Sequence, residues 1–401
     1  MKQDTTDILV EDLPAAQTQL RIAVVTETYP PEINGVAITL KRVVDGLRTR
    51  DHMVQLVRPR QAKEVSQGTP IESDDVLMRG MPIPRYPHLQ LGLPSRKQLE
   101  PLWTLKRPDI VHIATEGPLG WSALRVARKL RIPVTSDFRT NFHAYSSHYG
   151  IGWLSKPIMA YLKRFHNQTL TTMVPTQGLA DRLADAGFER LQVVARGVDA
   201  AHFDPALRST SLRASWGADP HTPVMICVGR LAKEKNLRLL IRAYAQVKLI
   251  RPDIRLVLVG DGPARSELQA LVPDAIFTGT LSRDVLATHY ASADIFVFPS
   301  QSETFGNVVL EAMASGLAVV AFDYAAAADN IQHDQNGLLA ALDDDETFVR
   351  LVVDLAQDRA RLARLRTAAR TTSQGCDWQS IVGQVEAVMQ QAASGRIAKN
   401  A

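Results

Sequence analysis

Short apolar runs alternate along the chain with longer segments whose apolar residues recur at helical spacing. The first run, 21–25, is followed by a loop with two prolines and a glycine and then by a helical pattern over 36–47. This order predicts a strand, a loop and a helix. Further strands are predicted at 109–114 and 133–136, with a helix starting near Ser122 between them. Strands that alternate with helices predict a parallel sheet covered on both faces.

A second series of the same kind begins after residue 220. Polar residues and prolines interrupt the pattern over 199–220, and we interpret this stretch as an interdomain linker. After it, strands are predicted at 224–228, 255–259, 275–277, 295–298 and 318–322, with helices at 236–249 and 308–314. Two such α/β sets predict two Rossmann-like domains that face each other across a cleft, where the loops after the strands converge.

The pattern divides the chain into five parts. Residues 1–19 are polar and acidic and are expected to form a disordered leader. The first domain is expected to span 20–198 and the second 221–374, joined by the linker. Residues 375–401 carry apolar side chains at helical spacing. This spacing predicts an amphipathic helix that packs back on the first domain.

The composition is typical of a folded protein of the cytosol. Among 401 residues, 45% are hydrophobic and 22% charged, which excludes wholesale disorder. The two cysteines, Cys227 and Cys376, lie far apart and form no disulfide framework, as expected in a reducing compartment. Since no apolar stretch approaches the roughly 20 residues that span a bilayer, we predict a cytoplasmic protein without a membrane-spanning segment.

The positive charge is concentrated in the first half of the chain. Residues 21–200 hold 25 Lys and Arg against 16 Asp and Glu, whereas residues 201–401 hold 20 against 22. This excess indicates an anionic partner such as phosphates or a membrane surface, although solvated helix faces explain it equally well. Because no nucleic-acid motif and no aromatic residues interleaved with the basic ones are found, we expect no nucleic-acid partner.

The most specific motif holds two glutamates around the start of a predicted helix. Glu303 lies in the loop after the strand at 295–298, and Glu311 lies in the helix that follows. Gly306, Asn307 and Val308 stand at the helix start, where free backbone N–H groups and the helix dipole favour an anion such as a diphosphate. A carboxylate beside that anion can accept hydrogen bonds from sugar hydroxyls. The alternative is that Glu303 is a capping or solvated acid.

With its neighbours, this pair resembles the Glu-x7-Glu motif of family 4 retaining glycosyltransferases, which have the two-Rossmann GT-B fold. Four further segments, each weak alone, resemble the same family in the expected order. They are the first loop, 30–36, the phosphate-binding segment, 228–236, the turn at 259–263 and the dipeptide 299–300 before the paired glutamates. We interpret 259–263 as a tight turn and not as a dinucleotide fingerprint. The resemblance covers nearly the whole chain.

The resemblance implies a role for each motif residue. It places Glu303 at the donor sugar hydroxyls, Glu311 at the nucleotide ribose, and Arg230 with Lys235 at the diphosphate. Preorganised cations of this kind stabilise the charge that develops on a departing nucleoside diphosphate. The Gly35 loop would meet the diphosphate or the acceptor from the opposite domain. The alternatives are a solvated basic turn for the two cations and an ordinary turn glycine.

The chain departs from the family pattern in two places. Where relatives commonly carry a histidine after the strand at 133–136, this chain has Arg139, and the nearest histidine is His143. An arginine cannot act as a base but can hold phosphate or acceptor charge, so both residues are candidates for catalytic roles. The second departure is at 324–328, where Tyr and four alanines replace paired glycines, which predicts an altered backbone approach to the donor.

The resemblance also implies a mechanism without a metal ion or a conventional base. In the front-side mechanism assigned to the family, the leaving phosphate takes the acceptor proton on the same face of the sugar. The acidic run 343–346 is interpreted as the solvated start of a late helix, not as a metal site. We therefore predict no metal and no permanently bound cofactor.

The sequence thus predicts a retaining hexosyltransferase that uses a nucleotide diphosphate sugar as co-substrate. GDP-mannose is the first expectation for the donor, followed by UDP-glucose, and a lipid, a lipid-linked sugar or a saccharide is the expected acceptor. The stretch 153–166 fits either an interfacial helix on an anionic membrane surface or a helix buried on one face, the second being favoured. The alternative functions are a nucleotide-sugar epimerase or hydrolase of the same fold and a noncatalytic nucleotide-sugar-binding protein.

Overall fold

The computed structural model of the chain describes residues 19–32, 35–60, 74–83, 86–139 and 155–395. The expected leader, apart from residue 19, lies outside these ranges. The strands of the first half are β1 (Arg21–Val25), β2 (Met53–Pro59), β3 (Asp75–Met78), β4 (Gly80–Ile83), β5 (Tyr86–Gly92), β6 (Ile110–Ile113), β7 (Val134–Asp137), β8 (Thr171–Val174) and β9 (Leu191–Val193). The helices of this half are α1 (Gly35–Arg48), α2 (Arg96–Leu105), α3 (Pro118–Lys129), α4 (Ser155–His166) and α5 (Gln177–Asp185).

The second half begins with a short helix and continues with regular strand–helix alternation. Its strands are β10 (Val224–Val228), β11 (Arg255–Val259), β12 (Ile276–Gly279), β13 (Ile295–Phe298), β14 (Ala318–Phe322) and β15 (Leu338–Ala340). Its helices are α6 (Thr210–Ser215), α7 (Leu237–Ile250), α8 (Arg265–Leu271), α9 (Arg283–Ser292), α10 (Asn307–Ala314), α11 (Ala326–Asn330), α12 (Asp345–Gln357), α13 (Arg359–Gln374) and α14 (Trp378–Ala393).

The strands form two parallel sheets, one in each half. The first has the order β3-β2-β1-β6-β7-β8-β9 and the second the order β12-β11-β10-β13-β14-β15. Strands β4 and β5 form a separate antiparallel pair. In each large sheet the strand order reverses at one point, between β1 and β6 and between β10 and β13. Ligands of open α/β sheets bind beyond the carboxyl ends of the strands at such a point. The predicted fold class, two Rossmann-like α/β domains, is confirmed.

Both faces of the second sheet are buried. Along β10, successive side chains point alternately into the two hydrophobic cores on either side of the sheet. Met225 and Cys227 point to one hydrophobic core, and Ile226 and Val228 point to the other. Each of the four side chains is at most 6% exposed. Because successive strand residues point to opposite faces, a fully apolar strand needs helices on both sides. This requirement explains why the short apolar runs were recognisable in the sequence.

The last helix, α14, packs on the first domain as predicted. Val382 and Val385 join the core that β1 and α1 form. A Cβ atom on Gly46 of α1 would lie 2.6 Å from a methyl group of Val382, so the glycine permits this close approach of the two helices. On the same face Glu386 accepts hydrogen bonds from Arg50 at 2.8 Å and pairs with His52 at 2.9 Å.

Residues 199–220 connect the two sheets but do not form a free linker. Phe203 and Trp216 are buried in the core of the second sheet. Asp199 accepts hydrogen bonds from Arg42 of α1 at 2.7 Å and from Arg283 of α9 at 2.8 Å, which ties the two halves together. We therefore propose domains at 20–198 and 221–374 with a connection, 199–220, that packs on the second domain.

Helix α4 buries one face, in agreement with the favoured interpretation of the stretch 153–166. Leu162 and Phe165 are at most 4% exposed. Lys156, Ala160 and Arg164 are exposed on the opposite side of the helix. Residues 153 and 154 lie outside the described ranges. Among the described residues, no helix combines the length and the apolar character that crossing a membrane requires.

Replacing Gly260 by Ala is expected to destabilise the protein and the loop that carries Arg230. Gly260 has φ 126°, a value that side-chain-bearing residues rarely adopt, and an added Cβ atom would lie 2.0 Å from the carbonyl oxygen of Gly229. Strain of this kind costs about 1–3 kcal/mol. Thermal denaturation should show a lower melting temperature.

Gly178 provides a matched control in α5, because an added Cβ atom there meets no atom within 4 Å. Gly178→Ala should leave stability unchanged or raise it by up to about 1 kcal/mol. Equal effects of the two substitutions would contradict the proposed close contact.

Candidate active site

The loop after β10 rests on the turn after β11. The backbone N–H of Gly229 donates to the carbonyl of Val259 at 3.0 Å, and that of Leu231 donates to the carbonyl of Asp261 at 2.9 Å. The backbone N–H of Ala264 returns a hydrogen bond to the carbonyl of Leu231 at 2.9 Å. In the segment where a tight turn was expected, the backbone N–H of Arg265 donates to the carbonyl of Gly262 at 3.1 Å, so a turn begins at Gly262. The hydrogen bonds on either side of Arg230 hold the backbone of this residue in place.

Lys235 and Glu303 form an ion pair between the loops after β10 and β13. The Lys235 ammonium donates to Glu303 Oε1, and the Ser300 hydroxyl donates to the same oxygen at 2.7 Å. The side chains of Lys235 and Glu303 are only 19% and 15% exposed. The Lys235 nitrogen also lies 6.0 Å from the centre of the Phe298 ring. Glu303 therefore occupies a largely buried, charge-paired position, which differs from the solvated acid considered as the alternative.

Arg230 has a more accessible side chain. Its guanidinium pairs with Glu234, and about half of the side chain, 49%, is exposed. The carbonyl of Glu234 in turn accepts a hydrogen bond from the Ser302 hydroxyl at 3.1 Å, which links this segment to the loop of Glu303. The two predicted phosphate-binding cations thus lie in the same segment after β10. The Lys235 side chain is largely buried, and about half of the Arg230 side chain is exposed.

The start of α10 faces the first domain. Gly306 precedes the helix with φ 93°, and the helix begins at Asn307. An added Cβ atom on Gly35 would lie 3.7 Å from the Asn307 side-chain nitrogen, so Gly35 faces this helix start across the cleft. The Asn307 Oδ1 atom is buried and has no hydrogen-bond partner among the described residues. Val308 is partly buried against the hydrophobic core of the second sheet, and its backbone N–H belongs to the first turn of α10.

Glu311 lies one helical turn after Asn307, the first residue of α10. Its environment differs from that of Glu303. The Tyr290 hydroxyl donates to Glu311 Oε2 at 3.2 Å. Burial raises the pKa of Glu311 to about 7 and outweighs the lowering effects of this hydrogen bond and of the Arg283 charge. The two glutamates of the motif therefore differ in their charge partners. Glu303 has a cation in contact, and Glu311 has a neutral hydroxyl.

The binding of a nucleoside diphosphate should depend on the ionisation of Glu311. If the ionised carboxylate accepts the ribose hydroxyls, affinity is expected to fall as the pH drops below about 7, where Glu311 becomes protonated. Well below pH 7, the affinity should fall by about tenfold for each pH unit, which is the limit for the uptake of one proton.

The change should be measured by calorimetry with GDP in the wild type and in Glu311→Gln. The nucleotide phosphates titrate as well, so the difference between the two proteins isolates Glu311. Parallel pH profiles for both proteins would contradict the assigned contact.

Arg139 lies directly after β7 in the first domain. Its Nε atom donates to Asp137 Oδ2 at 2.8 Å, and its Nη2 atom donates to the same oxygen. Burial alone would raise the pKa of Asp137, but Arg139 and His112 outweigh this and hold it well below the usual range. His143, the other candidate of this segment, lies outside the described residues.

One of the alanines that replace paired glycines, Ala325, has a backbone conformation that glycine favours. Ala325 has φ 54°, which is uncommon for a residue with a side chain. The backbone N–H of Ala326 donates to the carbonyl of Phe305 at 2.8 Å, and the Tyr324 hydroxyl donates to the carbonyl of Glu303 at 3.1 Å. This segment therefore braces the loop of Glu303. The contact made by Tyr324, like the hydroxyl of Tyr290, had no sequence signal, whereas Ser300 belongs to a segment that resembles the family.

The acidic run near the end of the second domain begins a helix, as expected. Asp344 caps α12, and its Oδ1 atom accepts a hydrogen bond from the backbone N–H of Thr347 at 3.0 Å. Within the described ranges, no group of three or more His, Cys, Asp or Glu side chains is arranged to hold a metal ion.

Comparison with known proteins identifies the family of both halves. Residues 33–202 match the model "Glycosyltransferase Family 4", and residues 222–358 match the model "Glycosyl transferases group 1". A GDP-mannose-dependent alpha-mannosyltransferase of Mycolicibacterium smegmatis is 35% identical over 380 residues, covering 92% of this chain and 98% of the relative. An alpha-monoglucosyldiacylglycerol synthase of Streptococcus pneumoniae is 28% identical over 317 residues, covering 75% of this chain and 71% of the relative.

The fold has a close counterpart among solved structures. Sucrose-phosphate synthase from Thermosynechococcus elongatus superposes with a TM-score of 0.76 at 18% identity, covering 94% of this chain and all of the other. The resemblance deduced from the motifs is confirmed by these matches. The chain belongs to the group 1 and family 4 glycosyltransferases and is a nucleotide-sugar-dependent enzyme of hexosyl transfer.

Proposed function

We propose that the enzyme transfers mannose from GDP-mannose, with retention of configuration, to a lipid or lipid-linked acceptor. The donor is proposed from the likeness to the mannosyltransferase of M. smegmatis, whose name states its dependence on GDP-mannose. The acceptor class is proposed from the likeness to the glucosyl-diacylglycerol synthase of S. pneumoniae. UDP-glucose is the competing donor, and a saccharide is the competing acceptor.

The observation that carries the proposal is the grouping of charges at the reversal point of the second sheet. Lys235 and Arg230 follow β10, and Glu303 follows β13, the neighbouring strand. The start of α10 adds free backbone N–H groups beside them. A nucleoside diphosphate needs such donors for its phosphate oxygens, and a sugar needs carboxylate acceptors for its hydroxyls. Glu311, one turn into α10, is the proposed acceptor for the ribose.

Catalysis then requires the stabilisation of charge on the leaving diphosphate. Lys235 and Arg230 neutralise the developing negative charge, and the α10 N–H groups donate hydrogen bonds to it. Glu303 orients the sugar by accepting its hydroxyls. Double displacement would need a second carboxylate close to the first across the reacting carbon. Since Glu311 is directed to Tyr290, we propose that the leaving phosphate itself receives the acceptor proton on the front face.

The positive charge at this site supports transfer without a divalent metal ion. Two cationic side chains and a helix start supply the charge that a metal ion would otherwise provide at the diphosphate. Initial rates should accordingly be the same with and without a chelator. A rate that falls on chelation and returns on addition of magnesium would contradict this part of the proposal.

We also propose a peripheral position on the inner face of the cell membrane, where a lipid acceptor would be available. Helix α4 supports this proposal, because Lys156 and Arg164 are exposed on the face opposite Leu162 and Phe165. Binding of the protein to phosphatidylglycerol vesicles at low salt, and its release at high salt, would be expected. Equal partition into phosphatidylcholine vesicles would contradict it.

The donor, the acceptor and the stereochemistry can be tested in one assay. The enzyme is incubated with GDP-mannose or UDP-glucose and with diacylglycerol or glucosyl-diacylglycerol in mixed micelles, and the product is examined by NMR. An α-mannosyl lipid formed from GDP-mannose is the expected result. A β-linked product would overturn retention. Consumption of the donor without an acceptor would point instead to an epimerase or hydrolase.

A further inference from the structure

Two arginines of the first domain lie side by side at the cleft. Arg139 follows β7, and Arg196 lies in the segment after β9. The two guanidinium groups are close enough for the charge of Arg139 to lower the pKa of Arg196. The Arg196 guanidinium lies 5.8 Å from the centre of the Phe305 ring, which belongs to the second-domain loop between Glu303 and Gly306. This pair therefore stands opposite the loop that we assign to the donor sugar.

The pair carries more positive charge than its surroundings neutralise. Asp137 is the carboxylate that pairs with Arg139, and it also approaches His112 at 3.4 Å. Arg196 makes no hydrogen bond or ion pair with the described residues, and its described contact is the face of Phe305. Residues 140–154, which follow Arg139, contain no Asp or Glu. Two guanidinium groups thus share one carboxylate.

Burial makes this excess charge unfavourable in the absence of a ligand. The Arg139 side chain is only 8% exposed, and its Nη1 atom has no hydrogen-bond partner among the described residues. Burial and the charge of Arg139 lower the pKa of Arg196 to about 9, although Asp137 opposes this. A buried guanidinium with unused N–H groups is costly unless an anion completes its hydrogen bonds.

The space around the pair restricts where an anion can bind. Both arginines line a cavity between α1, β7 and α14 that has a volume of about 30 Å³ and also contacts Thr39, Asp137 and Trp378. This volume accommodates a water molecule but not a phosphate group. The cleft side, where Arg196 meets Phe305, is therefore the side on which we place the anion.

We propose that Arg139 and Arg196 form an anion site for a phosphate or carboxylate group on the acceptor, which makes an acidic acceptor the preferred substrate. The donor diphosphate has its own cations, Lys235 and Arg230, on the second domain. The arginine pair lies on the first domain, which the proposed function assigns to the acceptor. The planar fork of arginine binds such oxygens in pairs, which a histidine at position 139 could not do. This inference rests on the proposed function.

The test measures binding of inorganic phosphate to the enzyme saturated with GDP, by calorimetry. GDP fills the donor site, so the remaining phosphate binding reports the arginine pair. One phosphate should bind to the wild type, and Arg196→Gln should weaken it by about tenfold or more. Arg196 has no described ion pair to lose, so this variant should fold. Arg196→Lys should retain part of the affinity, and Arg128→Gln, at an exposed arginine of α3, should match the wild type.

Several outcomes would overturn the inference. They are the absence of phosphate binding to the GDP complex, unchanged phosphate binding in Arg196→Gln, and a loss of GDP affinity in that variant as large as in Lys235→Gln. The last result would assign the pair to the donor. Failure of the proposed function is distinguishable, because GDP itself would then not bind.

The source of the anion can be identified with two further probes in the presence of GDP. Vesicles of phosphatidylcholine mixed with phosphatidylglycerol present a lipid phosphate, and glycerol 3-phosphate presents a soluble one. Binding of either probe that is weakened by Arg196→Gln supports the inference and names the source. Binding of neither probe, or binding of both that is insensitive to the substitution, overturns it.

Discussion

Replacing Glu303 by Gln is expected to lower the rate constant of transfer by about 10²–10³, the loss seen when one preorganised polar contact to a transition state is removed. Glutamine preserves the shape of the side chain and can still accept the Ser300 hydrogen bond. It removes the charge that pairs with Lys235 and that accepts the sugar hydroxyls. GDP should bind as well as before or more tightly, because Lys235 loses its internal partner.

Initial rates with saturating donor, together with calorimetry of GDP, measure the two effects separately. Glu267→Gln is a suitable control, because Glu267 forms an exposed surface pair with Arg238. Such pairs contribute little, so the control should keep the wild-type rate. A Glu303→Gln enzyme with less than about a tenfold loss of rate would remove Glu303 from the proposed catalytic group.

Replacing Lys235 by Gln is expected to weaken GDP binding by about 10- to 150-fold. A hydrogen bond between a cation and a phosphate oxygen contributes about 1.5–3 kcal/mol, which corresponds to that range. Lys235→Arg should not restore the affinity, because the longer planar guanidinium does not fit a largely buried ammonium position. Calorimetry with GDP, and with GDP-mannose in a slow-turnover background, gives the dissociation constants.

Lys248 offers a matched control for Lys235, since it lies in the last turn of α7 and forms an exposed pair with Asp274. Lys248→Gln should leave GDP affinity unchanged. Any gain in GDP affinity from Glu303→Gln should disappear in the double variant with Lys235→Gln, because that gain depends on the freed Lys235 ammonium. Equal GDP affinity of wild type and Lys235→Gln would exclude the assigned phosphate contact.

Most of the strands that were predicted from sequence are buried on both faces, although β12, predicted at 275–277, is only partly buried. Runs such as Val224–Val228 and Ile295–Phe298 are wholly apolar and appear as expected. The edge strand β3 buries one of its four residues, and β9 buries none completely, so neither produced a recognisable pattern. The start of α3 was placed near Ser122, whereas the helix begins at Pro118. Proline at the first helical position is favourable, and the pattern of apolar residues alone did not mark it.

The motif residues of the site were predictable, but their partners were not. The spacing in 302–312 marked Glu303 and Glu311, and the segment 228–236 marked the two cations. The ion pair of Glu303 with Lys235 and the hydrogen bond of Glu311 with Tyr290 arise only when strands and helices distant in sequence meet. The same holds for Arg196, which reaches Phe305 only because the two domains face each other. Charge partners are set by tertiary packing, which a single sequence does not encode locally.

A crystal structure of the enzyme with GDP-mannose tests the central claim most directly. The account predicts the diphosphate at Arg230, Lys235 and the start of α10, the ribose within hydrogen-bond distance of Glu311, and the mannose hydroxyls at Glu303. Gly35 should approach the diphosphate from the first domain. A nucleotide bound elsewhere, with its diphosphate away from Lys235 and its ribose away from Glu311, would contradict the account.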